Sequence, residues 1–413
     1  MRVLMFGWEF PPYNSGGLGT ACEGLVKGLS ENDTQVIFVA PKTPESPKGG
    51  NSNVKLISAM GSIKIRQIDS IVTPYMGANE YSREIDSLPP EKMDLYGRDL
   101  HHAVYLFSKR GGIIAKNELG NYDIIHCHDW LTYRAGIEAK RISGKPLVVH
   151  VHATEFDRTG GNGVNDYVYR LEKEGMANAD RVIAVSNYTK NLVVQNYGID
   201  PRKIDVVHNA VEFNDYRFKD ARIIDGMKTV LFLGRLTLQK GPDYFIYTAK
   251  RVLDVFPDVR FIMAGSGDMS PFVVQKAADM GIADKVLFTG FLKGADVDRA
   301  FQMADLYVMP SVSEPFGITP LESLRNNVPV IVSNQSGISE VLRNALKVDF
   351  WDIDETANKI ISVLRYSELH DELRDNGSEE IKRFNWGHPA RKCIRVYNSL
   401  AGKAGPLPKT LAS

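Results

Sequence analysis

The 413-residue chain has few cysteines, no net charge and no long apolar run. Its three cysteines, Cys22, Cys127 and Cys393, stand far apart. An odd, scattered set excludes a disulfide framework and the close pairs of a zinc finger, and leaves buried thiols as the expectation. Fifty basic residues balance fifty acidic ones. No whole-chain field then draws the protein onto nucleic acid or anionic lipid, so neither is expected as a partner. No apolar run approaches the length of a membrane span. The first, Val3–Phe6, is too short for the core of a secretory leader, and Pro11-Pro12 soon follow it. A cytoplasmic protein is expected. Low-complexity tracts and short internal repeats are also absent.

What is present is a recurring strand-length pattern. Short apolar runs stand at Val3–Phe6, Val36–Val39, Ile124-Ile125, Leu147–Val149, Val182–Val185 and Val206-Val207. A second series stands at Val230–Leu233, Phe261–Ala264, Val286–Phe288, Leu306–Met309 and Val330–Val332. Runs this short, without strict alternation, suit strands buried on both faces of a parallel sheet. Helical periodicity fills the intervals, as at 18–29, 244–256 and 269–280. Strand and helix in alternation predict an α/β chain of doubly wound domains. The pattern lapses once, in a polar stretch rich in Asp, Asn and Arg. The expected division is therefore a first domain at 1–212, a linker at 213–227 and a second domain at 228–385. Residues 386–413 are expected to form a helix packing back on the first domain, then a frayed tail. Segments 41–53 and 77–97 read as loops. Ligands of open α/β sheets sit beyond the carboxyl ends of the strands, so residues just after strands carry the functional expectation.

Three such places hold chemistry. Gly16-Gly17-Leu18-Gly19 follows the first run and opens a helical segment. Glycine lets a ligand approach the backbone, and a helix start favours negative charge, although a plain tight turn explains the same residues. Gly234-Arg235 and Lys240-Gly241 bound a loop after the first run of the second domain. A guanidinium fork and an ammonium in one loop can neutralise a leaving diphosphate. Ser313-Glu314-Pro315-Phe316-Gly317-Ile318-Thr319-Pro320-Leu321-Glu322 follows the run ending at Met309. There Thr319 reads as an N-cap, Pro320 as the first helical residue and Glu322 as the partner in a capping box. Glu314 has no such local duty and reads as an acceptor for sugar hydroxyls. Gly317 would let backbone approach a sugar.

His126 and His128 alternate on a strand and face one way, but no third ligand is placed beside them, so a polar strand end outweighs a metal site. The Asp296/Asp298 and Asp352/Asp354 pairs do not follow strands and are set aside.

The Glu314-x7-Glu322 pattern, with Arg235, Lys240 and the early Gly-Gly loop in the same order, resembles the retaining GT-B glycosyltransferases of family 4 type. Glu9-Phe10-x-Pro12 ahead of Gly16-Gly17, and His126-Cys127-His128-Asp129-Trp130, look closest to the bacterial glycogen and starch synthases within it. The resemblance implies the GT-B fold, two Rossmann-like domains facing across a cleft. It implies an enzyme that moves a hexosyl unit, glucose first, from a nucleotide sugar to a glycan such as an α-1,4-glucan. Within it Glu314 binds donor-sugar hydroxyls and Glu322 the ribose hydroxyls. Arg235 and Lys240 hold the diphosphate, and Gly16 and Gly17 meet the donor phosphate. His152 stands near the anomeric centre. Phe291 and Leu292 meet the base, and Phe316, Gly317, Ile318 and Thr319 complete the donor site. Glu9, His128, Asp129 and Asp157 are assigned to the acceptor side.

No cofactor and no metal is implied. Bacterial glycogen synthases usually carry a lysine two residues before the Gly-Gly pair, where this chain has Asn14. That weakens the case for ADP-glucose and leaves UDP-glucose or another sugar nucleotide open as donor. Three other readings compete: a family 4 glycosyltransferase acting on another sugar and acceptor, a glycoside hydrolase with two carboxylates, which needs no diphosphate clamp, and a catalytically silent sugar-binding protein.

Overall fold

The computed structural model describes residues 1–10, 16–40, 63–67, 99–212 and 225–401. Thirteen strands are assigned among them. The first sheet holds β1 (Arg2–Phe6), β2 (Gln35–Ala40), β3 (Ile63–Gln67), β4 (Ile124–His128), β5 (Leu147–Val151), β6 (Arg181–Ala184) and β7 (Ile204–Val206). The second holds β8 (Lys228–Leu233), β9 (Val259–Ala264), β10 (Val286–Gly290), β11 (Leu306–Met309), β12 (Val330–Ser333) and β13 (Leu346–Val348). All eleven apolar runs are strands. The two strands without such a run are β3 and β13, the outer strand beside β2 and the outer strand beside β12. An outer strand has one paired edge and need not be continuously apolar.

The orders are β3-β2-β1-β4-β5-β6-β7 and β10-β9-β8-β11-β12-β13, with every pairing parallel. Each chain path starts in mid-sheet, runs to one edge and then reverses. The reversals lie between β1 and β4 and between β8 and β11, and there the loops part to leave a crevice at the carboxyl ends. This is the GT-B arrangement of two Rossmann-like sheets.

The expected linker falls mostly at 213–224, outside the described residues, as do Asn14, the loops at 41–53 and 77–97, and the tail from 402. The segment leading into the linker is tied down. The Val211 amide donates to the Phe384 carbonyl at 3.0 Å, and Lys27 pairs with Glu212 at 2.6 Å. The helix Gly387–Ala401 lies on the helix Gly17–Glu31 of the first sheet's layer. A Cβ on Gly24 would stand 2.1 Å from the Trp386 ring, and one on Gly28 would stand 2.5 Å from the Trp386 carbonyl oxygen. Two glycines that cost helix propensity therefore make room for a buried indole. One apolar cluster runs through this contact without a break, from Val3 and Leu25 to Trp386, Tyr397, Met309 and Phe316. Both sheets share it. All three cysteines are buried, as expected.

Candidate functional site

On the first sheet's side the chain leaves β1 and enters a helix at Gly17. A Cβ at Gly17 would meet no atom within 4 Å, so packing does not demand glycine there. The Glu9 carboxylate is buried behind this turn and accepts from the Gly19 amide at 3.0 Å. At the end of β4, Asp129 holds φ of +57°, one of three non-glycine residues with positive φ among the described residues. A residue held there needs its surroundings to compensate the strain. Its Oδ1 accepts from the amides of His152 at 2.7 Å and Ala153 at 3.3 Å, which fixes the turn after β5. Burial pushes the Asp129 carboxyl up to about 7, against the pull of Arg158 and those two amides. His152 is held by its ring as well, Nε2 lying 2.8 Å from His128 Nδ1. Burial lowers His152 to about 3 and holds His128 well below the usual imidazole range, so both rings are neutral.

On the second sheet's side, Gly234-Arg235 leaves β8 and a single 3-10 turn, Leu238–Lys240, brings the two cations to one loop. Gly241 closes that turn with φ of +64°, and a Cβ there would lie 2.2 Å from the Pro310 carbonyl oxygen. Lys240 pairs with the buried carboxylate of Glu314. The same carboxylate oxygen accepts from Ser311 Oγ at 3.3 Å. Glu314 is anchored by its backbone: its amide donates to the Gln335 carbonyl and its carbonyl accepts from the Gly337 amide, both at 2.9 Å. Arg235 lies 3.4 Å from the Gln239 amide oxygen.

The expected capping box at Thr319 does not form. The helix runs Thr319–Arg325, so Thr319 is its first residue and Ile318 precedes it without a side-chain cap. The Thr319 hydroxyl instead accepts from the buried Tyr307 hydroxyl at 2.8 Å. The Glu322 amide donates to the Ile318 carbonyl. Released from capping, the Glu322 carboxylate faces the cleft. Burial raises its pKa, with Arg325 pulling it down and Asp298 pushing it up. Among the described residues, the amides of Gly317, Ile318 and Thr319 have no hydrogen-bond acceptor.

The two sides are latched together around Pro315. Its carbonyl accepts from Ser186 Oγ at 2.5 Å and from Thr189 Oγ1 at 3.2 Å. Ser313 Oγ donates to Asp157 Oδ1 at 2.6 Å and lies 3.0 Å from the Tyr188 hydroxyl. The Glu340 carboxylate accepts from the amides of Asn187 and Tyr188 at the start of the helix Asn187–Tyr197. These bonds hold the Glu314 loop against the first domain.

Between them lies a pocket of about 670 Å³. It brings together Gly16, Gly17 and His152 from one side with Arg235, Lys240, Phe291, Leu292, Glu314, Phe316, Gly317, Ile318, Thr319 and Glu322 from the other. Glu9, His128, Asp129 and Asp157 are buried and do not line it. In this structure their visible contacts are within the protein. Glu9 supports the glycine turn, His128 and Asp129 hold His152, and Asp157 caps its own short helix and receives Ser313. Asn209 and Arg325 line the pocket and were not foreseen. Asn209 follows the β7 run, so the rule that found Arg235 applied to it too. Arg325 stands three residues past Glu322 on a helix whose open face only packing defines.

The Glycosyltransferase Family 4 model matches residues 15–215, and the Glycosyl transferases group 1 model matches residues 214–380. An uncharacterized glycosyltransferase of Methanocaldococcus jannaschii is 28% identical, over 96% of this chain and 98% of that one. Glycogen synthase of Mycobacterium tuberculosis is 25% identical over 83% of this chain and 80% of its own. Among solved structures, sucrose-phosphate synthase from Thermosynechococcus elongatus superposes with a TM-score of 0.77 at 19% identity, covering 97% of this chain and 99% of that one. That likeness bears on the fold alone.

Proposed function

The chain is a glycosyltransferase of the GT-B fold, its two halves matched by the family 4 and group 1 models, and from that premise we propose that it transfers glucose from a nucleotide sugar to an α-1,4-glucan with retention of configuration. The observation that carries this reading is one pocket in which Lys240, Arg235 and the acceptor-less amides of Gly317, Ile318 and Thr319 face Gly17 and His152. That set suits a nucleoside diphosphate leaving an anomeric carbon. Charge grows on the diphosphate as the bond breaks, and fixed donors at that place lower the barrier. Glu314 would hold the sugar hydroxyls, and Glu322 the ribose. Phe291 and Leu292 form the rim where the base would sit. Neutral His152 would donate to the sugar near the reacting carbon. The acceptor hydroxyl then attacks the face the diphosphate leaves, and a leaving-group phosphate oxygen takes its proton.

Similarity to glycogen synthase supports glucose and glucan, and the donor is taken as UDP-glucose or ADP-glucose. The test is a panel of UDP-, ADP- and GDP-sugars with glycogen or maltooligosaccharide, with EDTA and without added cation. Transfer giving an α-linked product is expected from a glucose donor. Absence of transfer from every donor, or a β-linked product, would overturn the reading. Abolition by brief EDTA treatment would overturn its metal-free chemistry.

A further inference from the structure

Behind the pocket wall the first sheet gathers four histidines. His126 and His128 stand on β4, and His150 and His152 come from β5 and the turn after it. The parallel register sets His128 beside His150. The rings of His126, His128 and His150 have centroids 4.5, 5.2 and 5.4 Å apart. All three residues are at most 2% exposed. One ring nitrogen from each lies within 4.8 Å of the others.

The hydrogen bonding is lopsided. His126 Nδ1 lies 2.6 Å from the Tyr397 hydroxyl, and His128 Nδ1 lies 2.8 Å from His152 Nε2. Yet Nε2 of His126, Nε2 of His128 and both ring nitrogens of His150 have no partner among the described residues. A buried polar atom left unmet costs about 1–3 kcal/mol, and four at one place point to an occupant. An imidazole whose Nδ1–H donates to a fixed acceptor presents a lone pair at Nε2. This is how ligating histidines are oriented in metal sites. Tyr397 gives His126 that acceptor, and His152 gives one to His128.

We propose that this pocket of imidazoles binds one zinc ion, through Nε2 of His126, Nε2 of His128 and a ring nitrogen of His150. A set of nitrogens without carboxylate suits zinc and not magnesium or calcium. Zinc-to-nitrogen bonds of about 2.0–2.1 Å place tetrahedral ligands about 3.3 Å apart, so binding requires the three rings, now stacked at interplanar angles of 13–30°, to turn toward a common point. A water takes the fourth position. The ion is structural. It clamps β4 to β5 and, through His126 and Tyr397, holds the C-terminal helix to the first sheet. Through His128 it fixes the ring of His152 from behind.

The experiment uses untagged full-length protein, because a histidine tag would bind the probe. Zinc content is measured by mass spectrometry after incubation with Zn²⁺ and dialysis, and thermal midpoints are recorded with and without Zn²⁺. His150→Phe replaces the ring that has no partner with an apolar ring of similar size, an exchange expected to leave the fold intact. About one ion per chain and a raised midpoint are expected in the wild type, with binding at least about tenfold weaker in the variant. Wild-type protein that retains no stoichiometric zinc and shows no shift would overturn the proposal, and so would a variant that binds like the wild type. Those results would leave ordered water as the occupant. Should the variant fail to fold, Co²⁺ bound to the wild type decides. Intense visible bands of a four-coordinate ion support the site, and a weak, water-like spectrum refutes it. None of these readouts uses sugar transfer, so the outcome stands apart from the proposed reaction.

Discussion

Lys240→Ala separates two roles of one ammonium. In the resting protein Lys240 neutralises Glu314, whose side chain is 8% exposed while that of Lys240 is 22% exposed. Removing one partner of a buried ion pair costs about 3–5 kcal/mol, because the other charge is left without compensation. Here the lysine end touches solvent, and water can enter the space it vacates. The expected loss is therefore lower, about 2–3 kcal/mol. Ser311 Oγ, at 3.3 Å, offers the stranded carboxylate one neutral donor. Adding Glu314→Gln removes the stranded charge, so the double variant should regain most of that stability. Catalysis should behave differently. With the leaving diphosphate short of a cation, transfer falls about 10²–10³-fold, and the second substitution restores none of it. Urea unfolding of the four members of the cycle measures the first effect, and initial rates of nucleotide release measure the second. A Lys240→Ala protein as stable as the wild type would refute the buried-pair argument. A double variant that recovers transfer would show that Lys240 serves only to balance Glu314.

Three further outcomes follow from the geometry. Gly17→Ala adds a methyl group that meets no protein atom, so the unfolding midpoint should hold while the donor KM rises; an unchanged KM would remove Gly17 from the donor site. Ser313→Ala breaks the bridge from Asp157 and Tyr188 to the Glu314 loop, at about 1–2 kcal/mol. Because this bridge joins the two sides of the cleft, kcat and donor KM should shift together by up to about tenfold, and unaltered kinetics would show closure independent of it. Asp129→Asn tests a carboxyl raised by burial to about 7. The folded wild type binds this proton more tightly than the unfolded chain. Its stability relative to the variant is therefore greatest below about pH 4 and declines as pH rises to about 7. Urea midpoints of both proteins at pH 5 and pH 8 measure that difference, and a gap independent of pH would contradict the assignment.

Much of this protein can be read along the chain. Eleven strands announce themselves as short apolar runs, most of them because a strand buried on both faces must be apolar throughout, and the residues that follow them include Gly17, His152, Arg235 and Glu314. The outer strands β3 and β13 escape the pattern because their surroundings relax that demand. Local rules misassigned Thr319. Ser/Thr-Pro-x-Glu is a sound capping signal, but the Tyr307 hydroxyl, distant in sequence, claims the threonine and leaves Glu322 to the cleft. Distance in sequence also hid the roles of His128, Asp129 and Asp157, whose residue types suggested a ligand. Only packing shows that they also position His152 and Ser313.

The sequence by itself therefore determined the layers, the order of the strands along the chain and the chemistry available at their carboxyl ends, because these depend on periodicity and residue type. Tertiary structure alone decided which of those groups meet. The Lys240–Glu314 pair spans 74 residues, the His126–Tyr397 contact 271, and the parallel register of β4 and β5 puts His150 beside the pair that lacked a third ligand. Such contacts arise from the register between strands and from the return of the last helix, and short-range patterns carry neither.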